Sequence, residues 1–436
     1  MAEARAAGID LAAAPAAEAG REIYELIREL YPICRSISGD GVRQTFDLLS
    51  RLLPLRVTEV PTGTRVLDWT VPREWNVRDA WIEDPKGKRI VDLNTSNLHV
   101  LGYSVPVRTT LRLDDLRKHL FTHPTQPDWI PFRTSYYNEN WGFCLTQRQL
   151  ASMTDGEYEV CIDSTLADGS ITYAEALIPG EVQDEVLVST YACHPSLAND
   201  NCSGIALVAV LGKHLSRMGL RYSYRLLFSP GSIGPISWLA ANEDSLDRIK
   251  HGLVASCVGD PGHPTYKRSR RGNAEIDRAV ANVLRDRGEH ELREFVPLGG
   301  DERQFCSPGF DLPVGALSRT PADQFPEYHS SADNLELVQA DALGDSFALY
   351  LTVFDVLERN GRYENLNPRG EPQLGKRGLY RSVAGGSNRE AALLWVLNFS
   401  DGRHDLIEIS DRSGLSFQAI CEAADALERV ELLRRL

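Results

Sequence analysis

The sequence predicts an α/β protein with a mixed, largely parallel sheet covered by helices on both faces, a β-rich insertion and a winged-helix-like unit at the C-terminus. Three observations carry this. After Tyr173, short apolar runs alternate with helical patterns, the rhythm of a parallel sheet. Between about Asp68 and Pro131 the texture is strand and turn, with Trp69, Trp75, Trp81 and Trp129 concentrated there. Beyond a stretch rich in Gly and Pro, three short helical patterns close the chain. At 436 residues the chain is too long for one ordinary domain.

Taken in order, residues 1–20 are rich in Ala and lack a basic segment followed by an apolar core. They read as a disordered tail, not a signal peptide. The α/β domain is expected over 21–67 and 132–362. Ile23, Leu26, Ile27 and Leu30 share one helical face, ended by Pro32, and Val42 to Leu53 form a second amphipathic helix. The inserted β-rich domain is expected over 68–131, with a turn at Asp84-Pro85-Lys86-Gly87. Strands are then expected over 185–191, 222–228, 253–258 and 312–317. The matching helices span 203–218, with Ser203 as its cap, and 232–241, 274–287 and 341–359. Residues 363–386, with Pro368, Gly370, Pro372, Gly375 and Gly378, read as a linker.

The last unit, 387–436, has helices over 389–397, 404–410 and 416–429. The tight turn Arg412-Ser413-Gly414-Leu415 gives helix-turn-helix spacing. Its third helix carries Glu422, Asp425 and Glu428 against Arg429, and phosphate would be repelled. A structural or homo-oligomer-forming role is therefore expected, with no nucleic acid as partner. A net charge of −14 and a pI near 5.3 argue the same way against nucleic acid and anionic membranes. No apolar run is long enough to cross a bilayer. Eight scattered cysteines without a CxxC pair suit reduced thiols in a cytoplasmic protein.

The chemistry is expected where strands end. His194 and Asp200 follow the strand at 185–191, Asp260 follows the strand at 253–258, and His329 follows the last strand. Loops at the carboxyl edge of an open sheet converge on one crevice. Two imidazoles and two carboxylates suit a borderline divalent metal, zinc first. Asp200 has two oxygens with which it can bridge two ions. Cys193 and Cys306 read as buried thiols.

The segments STYACHPSLANDNCSG, RYSYRLLFSP, GDERQFCSPG and EYHSSADN resemble the co-catalytic zinc aminopeptidase family. The closer resemblance is to a bacterial branch that joins an inserted β-rich domain, a peptidase-like α/β domain and a C-terminal winged-helix unit. It covers nearly all of the chain after residue 20. The resemblance implies His194 and Asp260 on one zinc, His329 on another and Asp200 bridging them. It also implies a tandem Glu-Glu, the first a general base and the second a metal ligand. The matching residues here are Gly231 and Ser232. Gly231 has no side chain with which to take a proton, and Ser232 is a poor zinc ligand, so one zinc fits better than two.

Asp301 and Glu302, in LGGDERQF, are the expected replacement base, and Asp301 with Tyr328 the expected substrate contacts. The expected function is metal-dependent, hydrolase-like action on an amide or peptide-like small molecule with a free amine. The branch implies a setting in surface-polysaccharide or natural-product biosynthesis. The alternatives are the single-zinc amide rearrangement of glutaminyl cyclases, which share the fold, and a ligand- or partner-binding protein without catalysis.

Overall fold

The computed structural model describes residues 15–322, 324–379 and 388–436. The chain opens with α1 (Ala16–Leu30), α2 (Asp40–Leu49) and β1 (Arg56–Pro61). The β-rich unit supplies β2 (Glu74–Glu83), β3 (Arg89–Asp92), β4 (Val107–Arg112) and β5 (Glu157–Ala167). The α/β part continues with β6 (Ser170–Ile178), β7 (Glu185–Tyr191), α3 (Gly204–Leu215), β8 (Ser223–Ser229), α4 (Ile233–Asn242) and β9 (Ile249–Ala255). After β10 (Thr265–Lys267), α5 (Glu275–Arg285), β11 (Glu291–Arg293) and β12 (Val314–Ser318) comes the long α6 (Ala340–Arg359). The last unit holds β13 (Arg362–Asn365), α7 (Asn388–Phe399), β14 (Asp401–Asp405), α8 (Leu406–Ser413), α9 (Phe417–Arg429) and β15 (Leu433–Arg435).

The main sheet has eight strands in the order β1-β6-β8-β7-β9-β12-β10-β11. Its centre, β8-β7-β9-β12, is parallel, and β1 and β6 extend it antiparallel. Alternation along β7 explains the two covered faces. Val186 and Val188 join the core formed with α1, α3 and α6, while Leu187 packs with Leu227, Trp238 and Leu239 on the other side. Each large side chain buried in this way stabilises by about 1.5–3 kcal/mol. Because the central strands run parallel, the loops after β7, β8, β9 and β12 emerge at one edge.

Three expected boundaries move. Residues 1–14 of the expected tail lie outside the described residues, but Ala16 to Gly20 are helical and Ala19 and Gly20 are buried. The cause is a close crossing of α1 on α6: a Cβ at Gly20 would lie 2.1 Å from Ala340 O. The β-rich unit does not end at 131. Its sheet runs β3-β2-β5-β4, so the central strand β5 comes from 157–167, where Tyr158, Val160, Ile162 and Ser164 alternate inward. The expected linker over 363–386 begins as strand β13, which pairs with β14 and β15. Its residues 380–386 lie outside the described residues.

Candidate metal centre

The chain leaves β7 at Tyr191 and turns sharply through Cys193 and His194. Arg35, 2% exposed, holds this turn. Its Nε donates to His194 O at 2.8 Å and its Nη2 to Pro195 O at 3.3 Å and to Cys202 Sγ at 2.9 Å. The Asp200 segment is fixed from the opposite side by the buried Asp333, which accepts from Asn199 N at 2.6 Å and Asp200 N at 2.9 Å. Burial pushes the Asp333 carboxyl up to about 7. Ser203 does not cap α3. Its hydroxyl donates to Asn199 O at 2.6 Å and accepts Val258 N–H at 3.1 Å, tying the Asp200 segment to the loop after β9.

These constraints bring His194, Asp200 and His329 together, with one ligand atom from each within 4.8 Å of the others. Asp200 is fully buried. Its Oδ1 accepts the Tyr191 hydroxyl at 2.5 Å, and its Oδ2 lies 3.0 Å from His329 Nε2 and 4.0 Å from His194 Nε2. Burial alone would raise its pKa, but the two imidazoles and Tyr191 outweigh that and hold it at about 2. Burial pushes His194 down to about 4, so its ring is neutral at pH 7. Asp200 Oδ2 and His329 Nε2 have no aligned hydrogen-bond partner despite their burial. A buried carboxylate oxygen and an imidazole nitrogen that face each other at 3.0 Å without an aligned hydrogen bond, with the neutral His194 ring beside them, are a donor set that a divalent metal satisfies. The residues therefore fit one ion.

Asp260 does not join them. Its Oδ1 accepts from Gly262 N at 2.8 Å and Thr320 Oγ1 at 2.5 Å, and its Oδ2 from Asn199 Nδ2 at 3.0 Å and Thr320 N at 3.3 Å. With both oxygens engaged, Asp260 orients Asn199 beside Asp200 of the candidate site. This corrects its expected place among the ligands. Aromatic rings enclose the imidazoles. Phe132 meets His194 and His329 edge-on, 5.1 Å from each, and Tyr328 stacks on His329 at 3.8 Å. Phe132 comes from the segment between β4 and β5 of the β-rich unit, and its N–H donates to His329 O at 2.7 Å.

The cluster opens into a cavity of about 800 Å³ whose wall includes Gly231, Ser232, Asp301, Glu302 and Tyr328. Gly231 stands where the expected base is absent, and a Cβ there would meet only Cys193 Sγ at 3.2 Å and Tyr191 Cβ at 3.9 Å. Asp301 lies next to it. It is 5% exposed, its Oδ1 accepts Ser232 N–H at 2.8 Å, and its Oδ2 has no partner. Burial pushes its carboxyl up to about 7, with Glu302 adding to the rise. Glu302 is fully buried and ion-paired with Lys267. Cys193 and Cys306 are buried thiols as expected: Gly231 N–H donates to Cys193 Sγ at 3.2 Å, and the Cys306 thiol to Val314 O at 3.1 Å.

Arg35, Phe132 and Asp333 were not expected at this site. Only Asp333 left a signal, four residues after His329 inside EYHSSADN.

Residues 24–360 match the model of a family described as a domain of unknown function, DUF4910, and residues 361–435 match a winged helix-turn-helix. The chain is 53% identical over 421 residues, 96% of its length and 97% of the relative's, to a Clostridium acetobutylicum protein. That relative is provisionally named a polysaccharide biosynthesis protein with an aminopeptidase-like domain. A crystal structure of a provisionally assigned peptidase from the same species superposes with a TM-score of 0.93 at 52% identity, covering 97% of each chain. A zinc aminopeptidase from Bacillus subtilis superposes with a TM-score of 0.57 at 12% identity, over 77% of this chain and 94% of that one. At that identity the match speaks to the fold alone. The chain therefore belongs to the DUF4910 family, with a zinc-aminopeptidase-like α/β fold and a C-terminal winged helix-turn-helix.

Proposed function

We propose that this protein is a metal-dependent enzyme that cleaves an amide bond in a small, peptide-like molecule carrying a free amine. One ion, zinc first, would be held by His194, Asp200 and His329. The observation that carries this is the cluster of His194, Asp200 and His329, whose two imidazoles line the same cavity as a buried, half-satisfied carboxylate, Asp301. The bound ion would polarise the scissile carbonyl.

The chain's own residues do the rest. Asp301 accepts at Oδ2 the proton released by the attacking nucleophile and returns it to the departing nitrogen. A base with a pKa near the working pH is suited to both transfers. Phe132 and Tyr328 exclude water from the imidazoles. Glu302 is engaged by Lys267 and stays out of proton transfer. A second ion has no carboxylate from residues 231 and 232, and Asp260 is already committed. The relative's provisional name supports a setting in polysaccharide biosynthesis.

Metal analysis of chelator-free protein tests the reading. About one zinc per chain is expected, falling to none in His194→Ala. No metal, with His194→Ala unchanged in stability and ligand binding, overturns it in favour of a binding protein. Turnover of aminoacyl anilides tests the reaction. If none is cleaved and Gly231→Glu creates the activity, the natural reaction is not ordinary aminopeptidase hydrolysis.

A further inference from the structure

Ser232 sits in a backbone conformation that serine rarely adopts. Its φ of +61° and ψ of −62° place it in the left-handed half of the map. Ile233 N–H donates to Gly231 O at 2.9 Å across it. This is a γ-turn of the positive-φ kind, which is rare and strained. The strain lies at the corner between β8 and α4, in the cavity wall. Two residues on, Gly234 permits the sharp corner, because a Cβ there would lie 2.6 Å from Ser229 Cβ and 2.7 Å from Pro230 Cδ. A serine on a strained strand-to-helix turn, with a glycine two residues later, is the arrangement that presents a nucleophilic hydroxyl to a substrate.

The neighbours suit that use. Asp301 accepts the Ser232 N–H through Oδ1 and leaves its buried Oδ2 without a partner. Arg303 Nη2 donates to Ser232 Oγ at 3.2 Å, placing a cation against the oxygen that would become more negative. The departure from an esterase-type corner is that Ile233 N–H is already committed to Gly231 O and does not serve as an oxyanion donor.

We propose that Ser232 is the nucleophile of this site, with Asp301 as its base. The proposal rests on the amide-cleaving reading above. Ser232 Oγ bonds to the carbonyl carbon as its proton passes to Asp301 Oδ2. The carbon–nitrogen bond breaks, and the departing nitrogen takes that proton, leaving an acyl ester on Ser232. Water then attacks the ester carbon and gives a proton to Asp301. The ester bond to Oγ breaks, and the proton returns to Ser232.

The test is covalent labelling of the full-length protein with an alkyl fluorophosphonate, followed by peptide mass spectrometry. An adduct on Ser232 is expected. It should be lost in Ser232→Gly, which also relieves the positive φ and so retains the fold. It should form at least ten-fold more slowly in Asp301→Asn. Absence of an adduct on Ser232, or equal labelling of Asp301→Asn, overturns the proposal. Metal content separates the two readings. If the chelator-free wild-type protein binds no metal while Ser232 is still labelled, the metal reading fails and the serine stands. If metal binds and Ser232→Gly cleaves amides at the wild-type rate, the serine fails and the metal reading stands.

Discussion

Asp301 is under opposed demands. Its carboxyl has an ordinary pKa of 3.8 and is pushed up to about 7 by burial in the cavity wall. Because the folded state holds the proton more tightly than the unfolded chain, Asp301 adds stability below about pH 4. That contribution is lost as pH rises through about 7. A base must be ionised to work, so the form that destabilises the fold is the form that reacts. Two outcomes follow. Activity should rise with pH through about 7, and Asp301→Asn should lower it by roughly 10²–10⁴-fold. In urea titrations of metal-free protein, Asp301→Asn should gain stability over wild type as pH goes from 4 to 8. An activity profile that is flat across pH 7, or a stability difference that shrinks with rising pH, removes Asp301 from the base role.

At the scale of elements, α1 is held by its crossing with α6. Gly20 and Gly344 face each other there: a Cβ on Gly20 would sit 2.1 Å from Ala340 O, and one on Gly344 would sit 2.4 Å from Ala16 O. Both obstacles are backbone, which cannot rotate away. Gly20→Ala should cost about 1–3 kcal/mol despite alanine's better helix propensity, measured as a lower urea midpoint. An unchanged midpoint would mean that α1 lifts off without loss. The same contact explains why an Ala-rich opening reads as a tail: its helix is stabilised by packing that local composition does not display. The central strands were legible because burial on both faces makes each an apolar run, and β7 spans the expected 185–191. The strand expected at 253–258 ends instead at Ala255. Its apolar letters continue into an irregular turn where Cys257 has φ +51° and Val258 N–H bonds Ser203. His194, Asp200 and His329 were legible as polar residues at strand ends. Arg35 and Phe132 were not, because they reach the site from remote segments whose local pattern carries no sign of it. Asp260 was legible as polar but not as saturated, since its four donors come from Asn199, Gly262 and Thr320.

Across the whole molecule, the winged-helix unit is built into the α/β domain. Arg278 of α5 donates to both oxygens of Asp405 at 2.9 and 2.6 Å, and the same carboxylate caps α8 by accepting Glu408 N–H at 2.9 Å. Asn282 reaches Asp411 at 2.6 Å, Arg285 reaches Asp411 at 3.0 Å and Leu415 O at 3.3 Å, and Arg359 reaches Gln418 at 2.5 Å. The tight turn and the first residues of α9, which a DNA reader would present to a groove, are thus tied to α5 and α6. Charge argues in the same direction, since Glu422, Asp425 and Glu428 lie along α9. Docking and charge predict the same absence of DNA binding for different reasons, and Asp405→Ala separates them. It removes the cap and the acceptor for Arg278 together, a loss of about 2–4 kcal/mol concentrated in this unit. Amide exchange in α8 and α9 should quicken while the metal content stays unchanged. Neither wild type nor Asp405→Ala should retard duplex DNA at any salt concentration, because releasing the unit does not remove its acidic face. A salt-dependent shift in Asp405→Ala alone would mean that docking conceals a working DNA reader, and a shift in wild type would overturn the charge argument itself.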